Sequence, residues 1–175
     1  MRKIRRPLVT VLIVIICFLL ESTVFQSLSF ASITPNLLIV VTASFGFMRG
    51  KKEGMLVGFL SGLIIDVLFG DLIGFYALIY MVLGYVNGFF KRIFYPDDIK
   101  LPLILISASD FVLGNLVFVF LFVMRSKFDY WYYLGHIIIP ELIYTVLVTL
   151  VLYQIILHLN QALEAEEKRS ASKFV

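Results

Sequence analysis

Residues 54–80 decide the fold, and they read Gly54-Met-Leu-Val-Gly58-Phe-Leu-Ser-Gly62-Leu-Ile-Ile-Asp66-Val-Leu-Phe-Gly70-Asp-Leu-Ile-Gly74-Phe-Tyr-Ala-Leu-Ile-Tyr80. Glycine recurs at a four-residue step, and Asp66 occupies the one position of this series that lacks glycine. Small residues at this step let helix backbones approach closely in a membrane. A carboxylate at membrane depth is costly unless it is paired. The stretch therefore predicts tightly packed membrane helices that hold one acidic group.

The composition indicates an integral membrane protein. The 175 residues are 61% hydrophobic with a mean hydropathy of +0.97, which leaves too little polar surface for a soluble domain. The net charge of +3 comes from short basic clusters between apolar runs, so we expect no nucleic-acid binding. The single cysteine, Cys17, excludes an internal disulfide. No pattern of a nucleophile with its base, a metal site or a phosphate-binding loop is present, so we predict no enzyme, cofactor or metal.

Six apolar stretches predict an all-α bundle of six membrane spans. A span needs about 20 residues, and the first, fifth and sixth stretches satisfy this. The second has 14 residues, so it must borrow from the residues before it, thin the bilayer or be only partly inserted. Five spans plus a broken segment is the alternative. The predicted spans are residues 7–28, 35–48, 53–69, 72–90, 101–124 and 134–158, and a polar cytoplasmic tail follows at 161–175.

The distribution of basic residues predicts the orientation in the membrane. Thirteen of the fifteen Lys and Arg residues fall on one side of the six spans, and only Arg125 and Lys127 fall on the other. Cytoplasmic loops carry the excess of Lys and Arg. Both termini are therefore predicted to be cytoplasmic.

Four carboxylates, Glu21, Asp66, Asp110 and Glu141, fall within the apolar spans, and no basic residue lies at their depth to neutralise them. Either some are protonated, or they face water, or they bind a cation or a donor of a partner. Acidic groups inside a membrane often mark transport, but with hydroxyl groups they also join helices by hydrogen bonds. Asn36 is expected to cap the second helix.

Polar residues form stripes on three of the predicted helices, and these stripes together with the glycine series are expected to face inward. The stripes are Thr10, Cys17 and Glu21; Ser107, Asp110 and Gly114; and Glu141, Thr145 and Thr149. The glycines are expected to form a surface for helix packing or for a partner. They are Gly54, Gly58, Gly62, Gly70, Gly74, Gly84 and Gly88.

The segment 54–80, continued by Gly84-Tyr-Val-Asn-Gly88, resembles the MreD family of the bacterial rod-shape complex. Pro35-Asn-Leu-Leu, Arg49-Gly and the G-x-x-x-D-x-x-x-G core around Asp66 belong to the same resemblance, which is detailed over residues 35–90. It implies a multi-pass, non-enzymatic scaffold of the cytoplasmic membrane. Such a scaffold would associate with MreC and help to connect MreB filaments to the polymerase RodA and its penicillin-binding transpeptidase.

The family is also similar in architecture to the substrate-binding subunits of energy-coupling-factor transporters, which are six-helix bundles. This similarity supports an alternative function, a small-molecule-binding or proton-coupled transporter subunit that uses the carboxylates. The resemblance leaves two roles open for Asp66: it could hold the third and fourth helices together or face a cavity.

Overall fold

The computed structural model describes residues 5–25, 33–70, 72–96, 98–120 and 130–171. Six long helices contain most of these residues, which confirms the predicted all-helical fold for this part of the chain. The helices are α1 Arg5–Leu19, α2 Leu37–Arg49, α3 Lys51–Phe69, α4 Phe75–Asn87, α5 Lys100–Phe118 and α6 Ile139–Ala171. Shorter segments extend them: the π-helical turns Leu20–Phe25 after α1 and Leu134–Ile138 before α6, the 3₁₀ turn Gly88–Arg92 after α4, and the single turn Tyr130–Tyr133.

Helix α2 lies at the centre of the bundle and contacts all five other helices. Every residue from Leu37 to Met48 is buried. Its sequence, LLIVVTASFGFMR, has apolar residues on all sides, as a fully enclosed helix requires. Its 13 residues extend only about 20 Å, less than a hydrocarbon core of about 30 Å. Protein therefore surrounds this short helix over its whole length.

Among the described residues, three segments are long and apolar enough to cross a membrane: Pro7–Phe25, Lys100–Phe118 and Tyr130–Ala165. They overlap the first, fifth and sixth predicted spans, and residues 26–28 and 121–124 of the first and fifth spans lie outside the described residues. Helices α2 and α4 have 13 residues each, and α3 has 19 but carries three charged residues in its first turn and Asp66 near its end. That 35–48, 53–69 and 72–90 each cross the membrane stays a prediction.

The last helix extends beyond the sixth predicted span, since α6 continues to Ala171. Residues 161–171 of the predicted polar tail are therefore helical. Several basic residues used to predict the orientation lie outside the described residues, namely Arg2, Lys3, Arg125, Lys127 and Lys173.

Candidate functional site

Asp66 joins the end of α3 to the beginning of α4. Its Oδ2 atom accepts hydrogen bonds from the backbone N–H groups of Gly74 (3.0 Å) and Ala77 (2.8 Å), and its Oδ1 atom accepts one from Tyr76 (2.9 Å). The side chain is 1% exposed. The first N–H groups of a helix have no partner within the helix, and the helix dipole favours an anion there. Of the two roles left open by the sequence, the structure shows the first: Asp66 holds α3 and α4 together.

The glycine series of α3 packs directly on the backbone of α4. A Cβ atom on Gly58 would lie 2.1 Å from the carbonyl oxygen of Tyr80, and one on Gly54 would lie 2.3 Å from that of Gly84. A Cβ atom on Gly62 would lie 2.5 Å from the Cα atom of Ala77. Since none of these distances leaves room for a side chain, this glycine surface is occupied within the chain.

The other predicted glycines take different roles. Gly84 faces Gly54 across the same contact, and Gly88 packs on the backbone of Lys51 at the start of α3. Gly70 ends α3, and Gly74 precedes α4 with a φ of +100°, a conformation that side-chain-bearing residues rarely adopt. Gly70 and Gly74 therefore shape the turn between the helices and do not extend the packed surface.

The N-terminus of the buried helix α2 is held by two side chains. The Oε2 atom of Glu21 accepts hydrogen bonds from the backbone N–H groups of Leu37 (2.9 Å) and Leu38 (3.2 Å). Asn36 is the N-cap, and its Oδ1 atom accepts from the N–H group of Ile39 (3.0 Å), which confirms the predicted cap. Glu21 thus has a structural role that its apolar neighbours in the sequence do not reveal.

Asn36 also connects α2 to two distant helices. The Tyr80 hydroxyl of α4 donates to its Oδ1 atom at 2.9 Å, and its own backbone N–H group donates to the Thr145 hydroxyl oxygen of α6 at 3.1 Å. Tyr80 and Thr145 are each 1% exposed. Tyr80 was not among the predicted site residues, although a tyrosine hydroxyl in an apolar span needs a partner and could have indicated such a bond.

A cavity of about 560 Å³ lies at the end of the bundle where α1 and α3 end and α2 and α4 begin. Polar and aromatic side chains share its wall, and no Lys, Arg or His lines it among the described residues. Its lining includes Phe18, Glu21, Asn36, Phe69, Tyr76, Tyr80, Leu113, Gly114, Val117, Tyr133 and Glu141.

Asp110 lies on the face of α5 that borders this cavity, but it is not itself part of the lining. It shares one face of α5 with Leu113, Gly114 and Val117, which line the wall at steps of three, four and seven residues. Asp110 is 5% exposed and forms a side-chain hydrogen bond with Thr145, while its Oδ1 atom has no hydrogen-bond partner among the described residues. The structure therefore brings Glu21, Asp110 and Glu141 together and holds Asp66 apart in the α3–α4 turn.

The opposite end of the bundle is basic. There the Lys91 ammonium donates to the carbonyl oxygen of Arg49 at 2.8 Å, and the Lys51 ammonium lies 3.5 Å from the centre of the Phe89 ring. The Nε atom of Arg49 donates to the Oδ1 atom of Asn160, which ties α2 to α6. The bundle thus has one acidic and one basic end.

An apolar groove runs along the outside of the bundle between α4 and α5. These helices touch only sparsely, and the space between them measures about 450 Å³. Asn87 donates to the Ser109 hydroxyl (2.7 Å) at its base. Leu78, Val82 and Val112 are each more than 40% exposed along its rim.

No group of three His, Cys, Asp or Glu side chains suited to a metal ion occurs among the described residues.

The fold and the buried polar groups together define an integral membrane protein of the helical-bundle class. Within that class, the chain belongs to the MreD family, because the model of the rod shape-determining protein MreD matches residues 1–163 of the 175. No curated protein and no solved structure matched the chain. The family connects this protein with the determination of rod shape.

Proposed function

We propose that this protein is a non-enzymatic scaffold of the elongation complex in the bacterial cytoplasmic membrane. It binds MreC and, through MreC, couples MreB filaments to peptidoglycan synthesis by RodA and its transpeptidase. Membership of the MreD family carries this proposal. The groove between α4 and α5 supports it by offering a helix-sized surface that no helix of the described chain covers.

The proposed occupant of the groove is the single transmembrane helix of MreC. Helices in lipid associate through close packing and interhelical hydrogen bonds, because the lipid offers no hydrophobic drive. The groove suits this kind of contact, since Ala108 and Ser109 are small and the rim residues of α4 are aliphatic. The glycine surface of α3 is not a candidate for this contact because α4 covers it.

A pull-down from native membranes in mild detergent tests the proposal. Ala108→Trp fills the groove from an exposed position on α5, and Val151→Trp places the same side chain on the 66% exposed face of α6. We expect Ala108→Trp to reduce the recovery of MreC by about tenfold or more, equivalent to about 1.4 kcal/mol. Val151→Trp should leave it unchanged.

Equal recovery of MreC with both variants, each monodisperse on size exclusion, would exclude the groove as the docking site. Recovery of a second copy of the chain or of bound lipid, with no MreC, would count against the scaffold itself.

We also infer that both termini are cytoplasmic. The basic end of the bundle supports this orientation, since cytoplasmic loops are rich in Lys and Arg. Tyr95 near the basic end and Trp131 near the acidic end are 68% and 82% exposed. In a Cys17→Ser background, a membrane-impermeant maleimide should label Trp131→Cys but not Tyr95→Cys in intact cells whose outer layers admit the reagent. The reverse labelling pattern would show that the orientation is the opposite of the one inferred.

Similarity to the substrate-binding subunits of energy-coupling-factor transporters stays a prediction.

A further inference from the structure

The cavity at the acidic end combines the two kinds of group that recognise an ammonium ion. Carboxylates pair with its charge, and aromatic faces attract it through their π-electrons. Glu21 and Glu141 supply the carboxylates, and Tyr76, Tyr80 and Tyr133 supply rings in the same wall. The volume of about 560 Å³ falls within the usual range for small-molecule sites.

A second observation, independent of the cavity wall, concerns Asp110. Its carboxyl group is almost fully buried, its Oδ1 atom has no hydrogen-bond partner among the described residues, and it lies on the α5 face that lines the cavity. A buried acceptor without a partner costs free energy, and native structures rarely leave one in place without a ligand, an ion or a functional reason. Asp110 also forms a side-chain hydrogen bond with Thr145, so it acts on the cavity as a buried acidic group behind the wall and not as a part of the lining.

The carboxylates differ in how far the protein itself satisfies them. Glu21 accepts two backbone hydrogen bonds at the start of α2, whereas the side chain of Glu141 faces the cavity. Glu21 and Glu141 lie in the same wall of the cavity. Glu141 is therefore the carboxylate best placed to contact a cationic group in the cavity.

We propose that this cavity binds a small organic molecule through a primary ammonium group. The Glu141 carboxylate contacts the ammonium, the tyrosine rings surround the carbon chain, and Asp110 attracts the cation from behind the wall. This site is separate from the α4–α5 groove, so the proposal stands or falls independently of the scaffold function.

Calorimetric titration of the purified full chain in lipid nanodiscs tests the site, with putrescine as the probe. The matched ligand is 1,4-butanediol, which has the same carbon chain but no charge. We expect saturable binding of putrescine and none of butanediol. Glu141→Gln should weaken the binding by about tenfold or more, because it removes one charge of a desolvated pair.

Two further variants keep the test decisive. Glu164→Gln makes the same change on α6 far from the cavity, and it should bind putrescine as the unmodified protein does. Asp110→Asn should weaken binding if Glu141→Gln fails to fold. The absence of saturable putrescine binding, equal binding of both ligands, or full affinity in folded Glu141→Gln or Asp110→Asn protein would overturn the proposal.

Discussion

Replacing Asp66 with asparagine removes the charge at the N-terminus of α4 while nearly preserving the size of the side chain. The carboxylate accepts three backbone hydrogen bonds, two at Oδ2 and one at Oδ1. An amide has only one acceptor oxygen. With that oxygen at the Oδ2 position, the hydrogen bonds from Gly74 and Ala77 remain. The amide NH₂ group then faces the N–H group of Tyr76, and because both groups are donors the third hydrogen bond is lost.

The expected loss of stability follows from these contacts. One hydrogen bond to a charged group is worth about 1.5–3 kcal/mol. A charge near a helix terminus adds about 0.3–2 kcal/mol, towards the upper end where it is buried. Asp66→Asn should therefore lower the free energy of unfolding by about 2–4 kcal/mol. Asp66→Ala leaves all three N–H groups without their acceptor and should cost more.

Unfolding of the purified protein by sodium dodecyl sulfate in mixed micelles, followed by circular dichroism, measures these differences. Asp98→Asn is the matched control, because Asp98 accepts one hydrogen bond from the N–H group of Lys100 (2.9 Å) at an exposed helix start. We expect it to cost no more than about 1 kcal/mol. A loss for Asp66→Asn equal to that of the control, or larger than that of Asp66→Ala, would refute the role assigned to the carboxylate.

Two other substitutions test separate contacts in the same unfolding assay, and a third serves as a control. Gly58→Ala should destabilise the protein by about 3 kcal/mol or more, because the new Cβ atom meets the backbone of α4, whereas Gly135→Ala enters open space and should be neutral or slightly stabilising. Equal effects at the two glycines would contradict the packing described for α3. Tyr80→Phe removes the hydrogen bond to Asn36 and should cost about 0.5–1.5 kcal/mol. Tyr80→Phe protein as stable as the unmodified chain would show that this bond contributes nothing.

The α3–α4 hairpin was the part of the fold most accessible from the sequence. Its packing depends on glycines spaced by four residues and on an aspartate in the same series, so the pattern and the contact lie within one short stretch. The charge of Asp66 and the start of α4 are separated by fewer than a dozen residues. Local spacing therefore predicted close helix packing, although it left the choice between packing within the chain and packing on a partner open.

The network around the start of α2 was not predictable in the same way. Glu21 reaches Leu37 across 16 residues, Tyr80 reaches Asn36 across 44, and Asn36 reaches Thr145 across 109. Such contacts depend on how the helices are arranged around α2, and no periodicity within one helix encodes that arrangement. The groove between α4 and α5 could not be predicted either, because it also depends on how the helices are arranged in the bundle.

The central position of α2 has a consequence for the biogenesis of the protein. Helix α2 is the second helix to be synthesised, whereas α5 and α6, which complete its enclosure, are synthesised last. Until they arrive, a helix too short to span the bilayer has one side uncovered, and its bond from Asn36 to Thr145 cannot form. Maturation of this protein therefore ends with a closing step, in which the C-terminal helices complete the enclosure of a segment made much earlier.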